Sequence, residues 1–226
     1  MSKKKQPKFA ENLTFPHLFQ PELNDVLEGR FEMKGRWSRE FFKNEHPIVI
    51  ELGCGKGEYT IGLAQSDPSK NYIGVDIKGA RLWRGSKTVK EKQLSNVAFI
   101  RTKIEFIEGF FGEGEVDEIW LTFSDPQPQK ARKRLTSRAF IERYLKILKP
   151  GGTIHLKTDS RLLFNYTMEQ IEEFGYVPGT HTFNLYNELD KFPETFRETL
   201  QIKTFYEKMW LEKGYPINYV SFTVKN

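Results

Sequence analysis

The stretch that most constrains the fold is Pro47-Ile-Val-Ile-Glu-Leu52 running straight into Gly53-Cys-Gly-Lys-Gly57. A compact apolar run bounded by proline and glycine reads as a buried strand. Three glycines at alternate positions let the backbone turn tightly and approach a ligand closely. An amphipathic helix follows to about Gln65, and residues 71–76 (Asn-Tyr-Ile-Gly-Val-Asp) read as a second strand. Strand, glycine turn, helix and strand in succession is the unit from which parallel sheets are built.

The alternation continues along the chain. A basic helix is expected over about 79–94, a strand over 97–101, a short helix near Phe106 and a strand over 116–123. A helix over 137–148 meets its stop at Lys149-Pro-Gly-Gly152, before a strand over 153–158 and a helix over 161–174. Short strands near 180–183 and 217–224 enclose a helix near 205–213. Upstream, short helices are expected over 21–27 and 38–42, with residues 1–20 as an arm carrying Lys3, Lys4, Lys5 and Lys8. The expected division is therefore a basic arm with short helices, 1–46, and one α/β domain, 47–226. In such sheets ligands bind beyond the carboxyl ends of the strands, and the polar features below fall at those ends.

Glu51, Gly53, Gly55 and Gly57 form the first of these features, and Asp76 the second. The spacing Gly-x-Gly-x-Gly differs from the Gly-x-Gly-x-x-Gly of dinucleotide sites, and a carboxylate at Glu51 would repel a pyrophosphate. It would favour an ammonium group, and Asp76 at a strand end suits a pair of ribose hydroxyls. An incidental turn and an NAD-type site remain the alternatives at this point. The third feature is Thr122-Phe-Ser-Asp-Pro-Gln-Pro-Gln-Lys130. Here Asp125 sits at a strand end just ahead of Pro126 and Pro128, either as a rigidly placed acid or as a turn former.

Charge is unevenly spread. The net charge is only +5, but segments 78–92 and 127–149 carry 14 of the 35 Lys and Arg and 2 of the 30 Asp and Glu. They hold a local excess of +12, so the remainder is net negative. The second segment begins beside Asp125 with Lys130, Arg132, Lys133 and Arg134, placing positive charge where phosphates would be held next to a reaction site. Solvated helix faces are the plainer reading of each run taken alone. The single cysteine, Cys54, allows no internal disulfide and points to a reducing compartment. It reads as a small loop residue rather than a nucleophile. His17, His46, His155 and His181 lack ligand spacing, so no metal is expected. No apolar run approaches a membrane span and the N-terminus does not read as a secretory signal.

With Glu51–Gly57, Asp76 and Leu148-Lys-Pro-Gly-Gly152, the chain resembles the class I S-adenosylmethionine-dependent methyltransferases. That resemblance implies a Rossmann-like fold with a seven-stranded, mostly parallel sheet, helices on both faces and a C-terminal antiparallel hairpin. It also implies that Lys103 and Ile104 line the adenine, although Lys103 stands where an acid or amide is usual. Within that class the chain is similar to the bacterial tRNA (guanine-N7-)-methyltransferases. Their Phe-[Ser/Pro]-Asp-Pro-Trp-Pro-Lys signature, basic run and Arg-Leu-Thr match Phe123–Lys130 and Arg132-Lys-Arg-Leu-Thr136. Lys157-Thr-Asp159, Thr204-Phe-Tyr-Glu207 and Gly214-Tyr-Pro-Ile217 match later motifs. Gln127 and Gln129 replace the signature tryptophan and lysine.

The resemblance implies methyl transfer from S-adenosylmethionine to N7 of a guanine in the variable loop of tRNA. Asp125 would be catalytic and border the methyl group. Gln129, Lys130, Arg132, Asp159, Thr204 and Glu207 would bind the RNA, with Asp159 or Glu207 accepting from the guanine Watson–Crick edge. A cytoplasmic monomer or homodimer is expected. The alternatives are a small-molecule methyltransferase on the same fold, or a tRNA-binding module whose chemistry is weakened by Gln127, Gln129 and Lys103.

Overall fold

The computed structural model describes residues 6–224, so Lys3, Lys4 and Lys5 of the expected arm lie outside the described residues. The chain divides into two compact units, one ending at Gly112 and the other starting at Glu113.

In the first unit the strands are β1 (Leu18–Phe19), β2 (Ile48–Leu52), β3 (Asn71–Asp76) and β4 (Val97–Arg101), in the order β1-β4-β3-β2 and all parallel. Every residue of β2 and β3 is buried, as a sheet covered on both faces requires. The helices are α1 (Gln6–Asn12), α2 (Leu23–Leu27), α3 (Glu58–Ser66) and α4 (Gly79–Lys92), with a π-helical turn over Trp37–Phe42 and a 3-10 turn over Ile104–Gly109. Residues 6–46 are woven into this unit. The Asn12 amide donates to the Gly79 carbonyl at 2.9 Å and Trp83 Nε1 donates to Glu11 at 2.6 Å, which fastens α1 to α4. Trp37 is fully buried, its indole N–H donates to the Phe110 carbonyl at 2.9 Å, and Phe19 meets it edge-on. Trp37, Phe15 and Phe19 thus pack the N-terminal segment onto this unit.

In the second unit the strands are β5 (Val116–Thr122), β6 (Leu148–Thr158), β7 (Val177–Thr182) and β8 (Asn218–Thr223), in the order β5-β6-β8-β7. β5 and β6 are parallel; β8 is antiparallel to both β6 and β7, forming the expected C-terminal hairpin. Its helices are α5 (Arg138–Leu145), α6 (Arg161–Glu173), α7 (Glu194–Leu200) and α8 (Phe205–Glu212). Among the described residues there are eight strands, four in each unit, against the seven expected. The additional strand is β1, two residues that add to the edge of β4 and are too short to show a periodicity. The strand expected from Thr153 begins at Leu148, which already pairs with Val116; the Pro-Gly-Gly stop forms an irregularity within it, where Gly151 takes positive φ. Among the described residues no helix is long and apolar enough to cross a membrane.

Candidate active site

In the first unit the glycine loop leaves the carboxyl end of β2 and opens α3. Gly53, Gly55 and Gly57 all have positive φ, which explains the alternate spacing. At Gly53 and Gly55 a Cβ would point into open space, leaving room for a ligand against the backbone. At Gly57 a Cβ would lie 2.5 Å from the Phe99 ring, so that glycine is required by packing.

Asp76 ends β3, where its Oδ2 accepts the Gly55 N–H at 3.0 Å and its Oδ1 accepts the Lys78 N–H at 2.7 Å. The loop and the acid are thereby one rigid unit, and each carboxylate oxygen keeps a lone pair for a hydroxyl. The residues present therefore fit an adenosine-type cofactor: an open glycine cradle and an oriented acid at the adjacent strand end.

Glu51 is placed differently from the expectation of a group facing an ammonium. It is buried, and its Oε2 accepts the Thr60 N–H at 2.8 Å and the Thr60 hydroxyl. The carboxylate is turned into the first turn of α3, where it favours the N–H groups of a helix start. Burial, with Glu51 and Asp76 nearby, pushes the Cys54 thiol pKa well up, so it stays protonated, as a small loop residue would. Lys103 is exposed and Ile104 opens the 3-10 turn that follows β4.

In the second unit the backbone leaves β5 through Phe123 and passes Asp125 to Gln127. Both Phe123 and Gln127 hold positive φ. Non-glycine residues pay about 1–3 kcal/mol each for such a conformation, and it persists where surroundings over-determine it. The surroundings are visible here. Phe123 N–H donates to the Lys157 carbonyl at 2.9 Å, and Arg134 grips the loop from below. The Arg134 Nε donates to the Pro126 carbonyl at 2.9 Å, its Nη2 reaches the Gln127 and Pro128 carbonyls at 3.5 and 3.4 Å, and its guanidinium stacks on Tyr166 at 4.4 Å. Asp125 is exposed, with Oδ1 accepting the Gln127 N–H at 3.0 Å. The turn-forming role and the placed, solvent-facing carboxylate thus coexist in one residue.

Arg134 is the one member of the basic run that the sequence misplaces. It is 6 % exposed and cannot contact phosphates as its neighbours can. Gln129, Lys130, Arg132 and Lys133 are exposed.

Asp159, just beyond β6, is half-buried, and that burial raises its carboxyl pKa. The cap of α6 is supplied by Ser160, whose hydroxyl accepts the Leu163 N–H at 3.2 Å, so capping does not occupy Asp159. Thr204 and Glu207 instead form a reciprocal capping box on α8. Glu207 is fully buried, with its Oε1 at 2.7 Å from Lys157 Nζ and accepting the Tyr186 hydroxyl at 2.5 Å. Lys157 is also fully buried, and its ammonium donates to the Leu200 and Ile202 carbonyls at 2.6 and 2.9 Å. Burial lowers its pKa to about 8 while Glu207 opposes the shift, so it is charged at neutral pH. Glu207 is therefore no open acceptor for a guanine edge. Its carboxylate is consumed in a buried ion pair that anchors the segment between β7 and β8. Lys157, which the sequence reading named only as part of a motif, and Tyr186, which it did not name, complete this buried cluster.

The glycine cradle and the ribose-type acid of the first unit, at adjacent ends of parallel strands, fit the Rossmann-like fold of the class I methyltransferases. Residues 45–220 match the family model described as "Putative methyltransferase". The chain is 52 % identical over 222 residues to the tRNA (guanine-N(7)-)-methyltransferase of Bacteroides fragilis, covering 98 % of this chain and 86 % of that one. It is 49 % identical to the protein of that name from Christiangramia forsetii, covering 99 % of each. Among solved structures, the 16S rRNA methyltransferase KamB has a similar fold, with TM-score 0.64 and 12 % identity over 83 % of this chain and 92 % of that one. The chain belongs to the tRNA (guanine-N(7)-)-methyltransferase family.

Proposed function

We propose that this protein transfers a methyl group from S-adenosylmethionine to N7 of a guanine in the variable loop of tRNA, in the cytoplasm. The observation that carries the reading is Asp125: an exposed carboxylate in a loop braced by Arg134 and followed at once by the exposed Lys130, Arg132 and Lys133.

The bound cofactor supplies an electrophilic methyl on a sulfonium centre. Guanine N7 carries an in-plane lone pair and needs no deprotonation, so the chain's task is alignment and charge stabilisation rather than base catalysis. Gly53 and Gly55 let the backbone approach the cofactor, and Asp76 holds its ribose. Lys103 and Ile104 border the adenine. Asp125, fixed by its own turn, stabilises positive charge as it moves onto the purine. Asp159 is the free carboxylate for the guanine N1–H and N2 amino group. Gln129, Lys130 and Arg132 contact the RNA backbone, while Thr204 shapes the start of α8 and Glu207 acts as a positioning residue beneath it.

The test is incubation with labelled S-adenosylmethionine and unmodified tRNA, followed by nucleoside analysis. Label in 7-methylguanosine is expected. Transfer to metabolites alone would support a small-molecule enzyme, and tight tRNA binding without transfer would support a binding module.

Two kinds of cation are separated by a salt titration. Arg132→Gln with Lys133→Gln should flatten the dependence of log K for tRNA on log salt by roughly one unit per lost phosphate contact. Arg134→Ala should leave that slope unchanged and instead lower turnover, because it frees the Asp125 loop. A changed slope in Arg134→Ala would return that residue to the phosphate-binding set.

A further inference from the structure

We propose that the segment following β1 forms the outer wall of the adenine end of the cofactor site, and that Glu22 accepts the hydrogen bond from the adenine 6-amino group. The inference rests on the assignment of Asp76 to the ribose.

The register of the sheet locates the base. Asp76 pairs with Arg101, and the next residues on each chain, Ile77, Thr102 and Lys103, line a cavity of about 280 Å³. A base joined to a ribose at Asp76 extends into that space. Ile77 is 45 % exposed at its mouth, an apolar surface suited to the face of a flat ring, and Phe106 adds to the lining. The opposite wall comes from the N-terminal segment. β1 runs parallel to β4 with Phe19 opposite Ile100, so Gln20 and Glu22 emerge at the same carboxyl end as Asp76.

Adenine presents a donor at its 6-amino group and an acceptor at N1. The end of β4 offers Arg101, Thr102 and Lys103, two cations and a hydroxyl residue. Arg101 and Lys103 can donate to N1 but cannot accept from the amine, and the buried Thr102 hydroxyl is turned to the Lys103 carbonyl at 3.3 Å. The Gln20 amide oxygen is already the acceptor for Arg101 at 3.4 Å. Glu22 is the single carboxylate among the lining residues. It occupies the N-cap of α2 yet makes no capping bond, so its oxygens are available. A carboxylate on the N-terminal wall and a cation on the β4 wall together match the amine and N1 of adenine. They mismatch hypoxanthine, which reverses both.

The experiment is calorimetric titration of the full chain with S-adenosylhomocysteine and with its counterpart lacking the 6-amino group. Wild type should bind the adenine ligand tenfold to a hundredfold more tightly. Glu22→Ala should bind both with the weaker affinity, so that the ratio falls to about one. Glu22→Gln should keep part of the ratio, since its amide oxygen still accepts. Glu22 is exposed and contributes no cap, so both variants should melt as wild type does. A ratio preserved in Glu22→Ala, or equal weakening of both ligands, overturns the proposal. So does a ratio that collapses in Gln20→Ala instead. Failure of wild type to bind either ligand would overturn the cofactor assignment itself.

Discussion

Replacing Lys157 by methionine should cost about 3–5 kcal/mol, the loss typical when one partner of a buried ion pair is removed. For a chain of this size that is roughly 6–20 °C in Tm. The size of the effect follows from what remains: Glu207 stays fully buried with a carboxylate whose cation is gone. The Leu200 and Ile202 carbonyls lose their donor as well. Lys157→Met combined with Glu207→Leu should recover much of the loss, since replacing both charges by apolar groups is often neutral. Thermal melts of the two single variants and the double variant form the test. A single variant that melts within about 2 °C of wild type would remove the ion pair from any anchoring role.

The functional consequence is specific. Leu200, Ile202 and Thr204 belong to the stretch that carries α8 with its exposed Phe205 and Tyr206. In the double variant the KM for tRNA should rise while affinity for S-adenosylhomocysteine stays the same, because the glycine cradle and Asp76 share none of these contacts.

The parts of the site legible from sequence are those whose cause is local. The glycine loop is visible because positive φ at Gly53, Gly55 and Gly57 demands that residue type, and Asp76 because it ends an uninterrupted apolar strand. The Thr204-x-x-Glu207 spacing forms a capping box that favours a helix start at Phe205, although the sequence reading assigns both residues to the RNA. The burial of Glu207 was not legible. Its partner, Lys157, lies far away in sequence at the end of β6, and a lysine in a motif gives no sign that its ammonium will be enclosed. Arg134 failed for a related reason. In Arg132-Lys-Arg134 each side chain reads as a solvated cation, and only the placing of Tyr166 and the Pro126 carbonyl buries the third. The N-terminal segment, residues 1–20, reads as an arm from the sequence. Its order comes from tertiary partners, α4 and β4, that no local window contains.

Asp125→Ala should lower kcat on the order of 10²–10³-fold, the range seen when a group stabilising transition-state charge is lost. Affinity for S-adenosylhomocysteine should stay within several-fold of wild type. The alanine variant alone leaves two causes mixed, because it deletes both the negative charge and the acceptor that holds the Gln127 N–H. Asp125→Asn separates them. The asparagine carbonyl oxygen can still accept from Gln127 and keep the loop in its strained course, while the charge is gone. If developing charge on the purine is what Asp125 stabilises, the asparagine variant should be nearly as slow as the alanine variant, with a Tm close to wild type. If instead the residue matters as a turn former, asparagine should restore most of the rate. Equal losses of turnover and cofactor affinity in both variants would move Asp125 from the reaction to cofactor binding. The Arg134 brace supplies the internal control: Arg134→Ala loosens the same loop without touching the carboxylate. Its rate loss should therefore add little to that of Asp125→Ala, since a mispositioned loop that carries no charge has nothing further to lose.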